Sequence, residues 1–186
     1  MPILQHECDI NPSNLLGDES LLADTSRTWW CLYTLSRREK LLMRRMLATD
    51  LAFYGPVAPK RSRSPAGRVR TSFVPLFPNY VFLFADDSGR REALRTNCIS
   101  RIHHVEAVSD LMADLRRIHA VIEAGVPLMA ESRLVTGNRV RVKSGPFKRY
   151  EGTVLRREGK SRLLLAINFL EQGVSMEIDE ALLEPL

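Results

Sequence analysis

The chain has 186 residues, of which 45% are apolar and 26% charged, with a formal net charge of +5. That is room for one ordinary domain plus a small one, or two small ones, with ample side chains for a core. No window approaches the apolar run of about 20 residues that a membrane span needs, and the N-terminus lacks the basic start and apolar stretch of a secretory signal, so a cytoplasmic monomer without membrane contact is expected.

Cys8, Cys31 and Cys98 are odd in number, widely spaced and form no CxxC pair. A disulfide framework or a zinc site is not expected, and a reducing compartment fits. Charge is unevenly spread. Residues 1–26 hold five acids (Glu7, Asp9, Asp18, Glu19, Asp24) and no Lys or Arg. Residues 37–70 hold ten basic groups against Glu39 and Asp50. A basic block of that density attracts polyanions, although a solvated basic surface has the same composition.

In chain order, residues 1–27 carry Pro2, Pro12, Gly17 and scattered leucines without a sustained period, and read as an acidic, flexible extension. Trp29 to Leu35 is a β-rich run of strand length. A helix is expected from Arg38 to Ala52, with Leu42, Met43, Met46, Leu47 and Leu51 on one face, ended by Gly55-Pro56. Val57 to Val74 reads as two short extended pieces joined by a flexible basic tip. Leu76 to Phe84 is the most apolar stretch and reads as a strand. A short helix over 88–96, a strand over 99–105 and a helix from Ser109, stopped by Gly125 and Pro127, complete this part. Residues 126–134 read as a linker. Beyond them, short strands separated by Ser144-Gly145-Pro146 and Glu158-Gly159-Lys160-Ser161 suggest a small barrel. The expected fold is α+β: a four-stranded antiparallel sheet flanked by helices (28–125), linked to a five-stranded β-barrel (135–186).

Two stretches carry a family resemblance. Leu76-Phe77-Pro78-Asn79-Tyr80-Val81-Phe82 resembles the F-P-[GN]-Y strand of the NusG N-terminal domain, and its Leu-Phe-Pro-Asn-Tyr form is similar to the specialised paralogue RfaH. Val140-Arg141-Val142-Lys143-Ser144-Gly145-Pro146-Phe147, then Gly152-Thr153-Val154, looks like the KOW motif. Trp29-Trp30-Cys31-Leu32-Tyr33 also fits that domain's first strand. The order and spacing of the motifs match over about residues 28–186.

The resemblance implies a non-enzymatic transcription elongation factor that grips the clamp helices of bacterial RNA polymerase and modulates pausing, termination or antitermination. Carried over by position, the polymerase-binding residues would be Tyr33, Phe77, Pro78, Asn79, Tyr80 and Phe82. Exposed aromatics of this kind are docking anchors, and core packing is the competing role for some of them. Lys60, Arg61, Arg63, Arg68 and Arg70 would lie near upstream or non-template DNA, touching phosphates without reading bases. In the C-terminal domain Phe147, Phe169 and Leu170 would meet a second partner, Rho or a small-ribosomal-subunit protein. The His-Thr-Thr motif of RfaH is absent; Arg90, Arg91 and Glu92 stand there.

No metal or cofactor is expected. His103 and His104 are adjacent on a strand and so face opposite ways, and no phosphate loop or nucleophile motif is found. The rival functions are a KOW-type RNA- or ribosome-binding protein and a nuclease with a basic groove. The C-terminal part carries nine basic and seven acidic residues over 135–186, a weak charge for autonomous RNA binding.

Overall fold

The computed structural model describes residues 7–63, 67–131, 137–157 and 159–186. The chain forms two compact units, 1–108 and 109–186, and is mixed α+β, as expected.

The first unit contains, in chain order, β1 (Ile10–Asn11), α1 (Glu19–Leu22), β2 (Thr28–Thr34), α2 (Glu39–Ala48), β3 (Ala52–Tyr54), β4 (Val57–Arg63), β5 (Val69–Pro75), β6 (Tyr80–Ala85), α3 (Asp87–Arg95) and β7 (Ile99–His104). Its main sheet runs β1-β3-β6-β2-β7 with every pair antiparallel. One face of the sheet is sealed by helix. Leu42, Met43 and Met46 from α2 and Ala93 from α3 pack with Leu32, Phe53, Val81 and Leu83 from the strands. Each such large side chain removed from water contributes about 1.5–3 kcal/mol. Asp86 caps α3 by accepting the Gly89 N–H at 2.7 Å, which satisfies one of the orphan donors of the helix start.

Several expectations are corrected here. The sheet has five strands rather than four: the segment over 57–74 pairs with itself as a separate two-stranded sheet, while β3, expected as helix end, and the two-residue β1 join the main sheet instead. The N-terminal stretch is therefore not a free extension within the described residues; Leu15 is fully buried and Leu16 nearly so. The helix expected to reach Ala52 stops at Ala48. Asp50 turns left-handed (φ 52°), a conformation that Asp tolerates better than most residues, and the chain then enters β3. At Gly55, just past β3, a Cβ would lie 2.5 Å from Met43 Sδ, so any larger residue there must push the Met43 side chain aside.

The second unit begins with α4 (Val108–Glu123) and continues with β8 (Leu128–Glu131), β9 (Arg139–Val142), β10 (Glu151–Arg157), β11 (Lys160–Ile167), β12 (Gln172–Glu177) and β13 (Leu183–Pro185). They form a six-stranded antiparallel sheet, β13-β9-β10-β11-β12-β8, where five strands were expected. Leu163, Leu164 and Leu165 are buried in succession, so β11 is covered on both faces. α4 buries Leu111, Leu115, Ile118 and Val121. Its Asp114 carboxylate accepts the backbone N–H of Asn168, just past β11. By contacts α4 groups with this unit.

Part of the expected linker is also structured. β8 pairs with β12 over four residues, and a buried polar chain holds it. Arg162 Nε donates to Ser175 Oγ at 2.9 Å, and Ser175 Oγ donates to Glu131 Oε1 at 2.8 Å. Gly152 lies where a Cβ would come within 2.3 Å of Leu164 O, so the glycine is what allows β10 to lie against β11.

Candidate docking site and basic arm

Paired residues on adjacent antiparallel strands point to the same face, and the register assembles the face opposite α2 and α3 row by row. Ala52, Phe84 and Trp29 form one row; Tyr54, Phe82, Cys31 and His103 form the next; Tyr80, Tyr33 and Arg101 form the last. Exposure changes along this series. Trp29, Tyr54, Phe82 and Cys31 are all fully buried. Tyr33 and Tyr80 are only half-buried, and Arg101 is exposed. The two tyrosine rings meet edge to face with centroids 5.1 Å apart, a favoured aromatic geometry. Burial raises the Tyr80 phenol, with smaller contributions from Cys31 and Tyr33, and burial pushes the Cys31 thiol up to about 12. Both stay neutral at physiological pH.

The expected docking set is thereby divided. Phe77 (1% exposed) and Phe82 (0%) are core residues, not surface anchors. For Phe82 the reason is its row on the sheet. For Phe77 it is a turn in place of the expected continuous strand. The Tyr80 N–H returns to Phe77 O at 3.1 Å, with Pro78 at the second position of the turn and Asn79 at φ 68° in the third, the residue preferences of a type II turn. The turn projects Pro78 outward and drives Phe77 inward. It is fixed on two sides: Asn79 N–H donates to Glu39 Oε1 at 2.8 Å, and Asn79 O accepts the Thr34 N–H at 2.8 Å. What remains at the surface is Tyr33, Tyr80, Asn79 and Pro78, with Arg101 beside them. Arg101 was missed because its partner row depends on strand register, which no local pattern reveals.

The basic segment is a hairpin. β4 and β5 pair through seven successive positions, from Val57↔Pro75 to Arg63↔Val69, a longer and more regular arm than two short pieces with a flexible tip. Lys60, Arg63 and Arg68 are exposed. Arg61 and Arg70 sit in the ladder opposite Thr71 and Ser62, and their side chains lie outside the described ones, as do residues 64–66 at the tip. Val69, at the end of the ladder, is also strongly exposed.

A further polar cluster sits at the other end of the sheet. Trp30 donates its indole N–H to Ala85 O at 3.0 Å, packs edge-on against His104 and lies under the Arg90 guanidinium at 5.3 Å. Arg90 also pairs with Asp87, whose carboxyl is held below its ordinary value mainly by that hydrogen bond.

In the second unit Phe147 is half-buried against Tyr150, with ring centroids 5.6 Å apart. Leu170 is buried rather than exposed, because a 3-10 turn over Asn168–Leu170 tucks it under the sheet before Glu171 turns left-handed (φ 51°). The Phe169 side chain lies outside the described ones.

A sequence profile described as "Transcription termination factor nusG" matches residues 27–130, more than half of the chain. The chain belongs to the NusG family. That membership agrees with a non-enzymatic transcription factor, and the matched span contains the tyrosine pair, the Phe77–Tyr80 turn and the basic arm. A solved structure titled "Crystal Structure of MjSpt4:Spt5 complex conformation B" is 15% identical and covers 86% of this chain and 97% of its own, with a TM-score of 0.28, a likeness that carries no argument by itself. No curated protein matches. Among the described residues no helix is long and apolar enough to cross a membrane.

Proposed function

We infer that this NusG-family protein is a transcription elongation factor that docks on the clamp helices of RNA polymerase through a compact patch. The patch consists of Tyr33, Pro78, Asn79 and Tyr80, with Arg101 at its border. The observation that carries this reading is the half-exposed Tyr33–Tyr80 pair. These two rings remain accessible at the end of a sheet face whose other aromatics are sealed. Amphipathic rings held rigid by a packed scaffold are good anchors, since little side-chain entropy is lost on binding. Arg101 beside them suits an acidic rim on the partner.

The basic arm would lie against upstream or non-template DNA and add a salt-dependent, sequence-independent attraction. A factor bound in this way favours whichever polymerase conformation it grips more tightly, which is how it would alter pausing or termination. The second unit is read as a KOW-type module for a further protein partner, Rho or a small-ribosomal-subunit protein, with Phe147 as its best-supported contact. The Leu-Phe-Pro-Asn-Tyr segment favours a specialised, RfaH-like factor over a general one.

The test is co-elution of the full chain with purified core RNA polymerase, followed by a pausing assay with and without Rho. Retention on the polymerase with a change in pause lifetime is expected. Absence of retention, with binding to RNA instead, would favour the ribosomal reading.

A further inference from the structure

We propose that residues 7–26 form an acidic strap that grips the root of the basic arm and restrains its attraction to nucleic acid, so that displacing the strap raises the arm's affinity. The proposal rests on the reading of β4–β5 as a nucleic-acid-facing arm.

The segment lies outside the family-matched span of 27–130, yet it is built into the fold. β1 pairs with β3 through Ile10↔Tyr54 and Asn11↔Phe53. Asn11 Nδ2 donates to Leu51 O at 2.9 Å, and Leu15 and Leu16 are both buried. The attachment converges on the arm. Asp9 O accepts the Gly55 N–H at 2.7 Å, and Asp9 Oδ2 accepts the Val57 N–H at 3.4 Å. Asp9 thus brackets Pro56, the residue that leads into β4. Glu7 reaches Arg44 of α2 at 3.3 Å, on the same basic stretch of chain.

Charge and length give this arrangement a direction. The strap brings the Asp9 carboxylate to the base of an element whose cations include Lys60, Arg63 and Arg68, and Glu7 to Arg44 of the same basic stretch. Fixed negative charge there lowers the local potential that phosphates experience, and a clamped root limits how the arm can swing toward a strand. The strap is the weaker element. Its β-pairing spans two residues, against seven register positions in the arm, so it opens locally without unfolding the arm.

The experiment uses the full chain and a charge-neutral double variant, Leu15→Ser/Leu16→Ser. Affinity for a labelled single-stranded DNA is measured by fluorescence anisotropy at two salt concentrations, and exchange of the Gly55 amide proton is followed in parallel. The near-ultraviolet signal of the tryptophans checks that the fold survives. Faster Gly55 exchange with roughly three- to tenfold tighter binding at low salt is expected. Faster exchange with unchanged or weaker binding overturns the strap and leaves the arm reading standing. If the leucine variant unfolds or keeps Gly55 protected, Ile10→Pro/Asn11→Ala, which attacks the β1–β3 pairing, decides instead. Unchanged Gly55 protection in that variant also overturns the proposal. Absence of DNA binding in every form overturns both readings.

Discussion

Asn79 hangs from Glu39: its backbone N–H donates to Glu39 Oε1 at 2.8 Å, so the turn presenting Pro78 and Tyr80 is tied to the first residue of α2. Glu39 is itself buried (7% exposed), which makes this a structural bond rather than a surface contact. A helix start is where a carboxylate is electrostatically favoured, and here it also satisfies a donor outside the helix.

Glu39→Ala should therefore destabilise the first unit by about 1–3 kcal/mol, the usual cost of stranding a buried donor. Glu39→Gln, which retains an acceptor, should cost less. Urea unfolding of both variants checks this. Equal stability of Glu39→Ala and the parent chain would show that the bond does not hold the turn.

The two aromatic residues two positions apart on β6 should respond oppositely. Phe82→Ala removes a fully buried ring and should cost about 3–5 kcal/mol of stability. Tyr80→Ala trims a half-exposed ring and should cost clearly less, while weakening polymerase binding by about 1–3 kcal/mol. Denaturant midpoints and binding isotherms on the same preparations separate the two roles. A larger stability loss for Tyr80→Ala would place it in the core instead.

Asp114 gives the second unit a pH signature. Burial raises its carboxyl above the ordinary value, Arg117 and the Asn168 N–H oppose that rise, and Asp110 adds slightly to it. A raised folded value means the stabilisation is fully present below the unfolded value and is lost as pH rises through the folded one. At neutral pH the ionised carboxylate is therefore a cost, and Asp114→Asn should be more stable than the parent. That advantage should shrink as pH falls through the raised value toward the ordinary carboxylate range. Glu151 and Glu180, whose values are lowered mainly by hydrogen bonds from Arg141 and Ser161, are present in both proteins and cancel in the comparison. Denaturant unfolding of the pair at neutral and mildly acidic pH is the check. A stability gap independent of pH would contradict the role of Asp114.

The helices were largely legible because periodicity is local. Leu42, Met43 and Met46 are buried on one face of α2, although Leu47, expected with them, is exposed and Leu51 lies beyond the helix, and Leu111, Leu115 and Ile118 are buried on one face of α4. The F-P-N-Y segment and the glycine at 152 were also visible. What escaped depends on long-range pairing or on backbone conformation. Ile10–Asn11 becomes a strand only because β3 offers an edge, and a two-residue strand has no pattern of its own. β8 likewise exists through β12. Phe77 was carried over to the docking set by position, whereas the turn through Pro78 and Asn79, the latter at positive φ, leaves its ring buried. Of the expected docking residues, sequence could supply the neighbourhood; register and the turn decide which rings reach solvent.

The most direct test is a binding titration of the full chain, and of its Tyr33→Ala/Tyr80→Ala double variant, against an isolated polymerase clamp coiled coil. Binding by the parent chain and a loss of about tenfold or more in the folded double variant is the predicted result. Equal affinity of the two proteins, or no affinity of the parent chain for the coiled coil, would contradict the account.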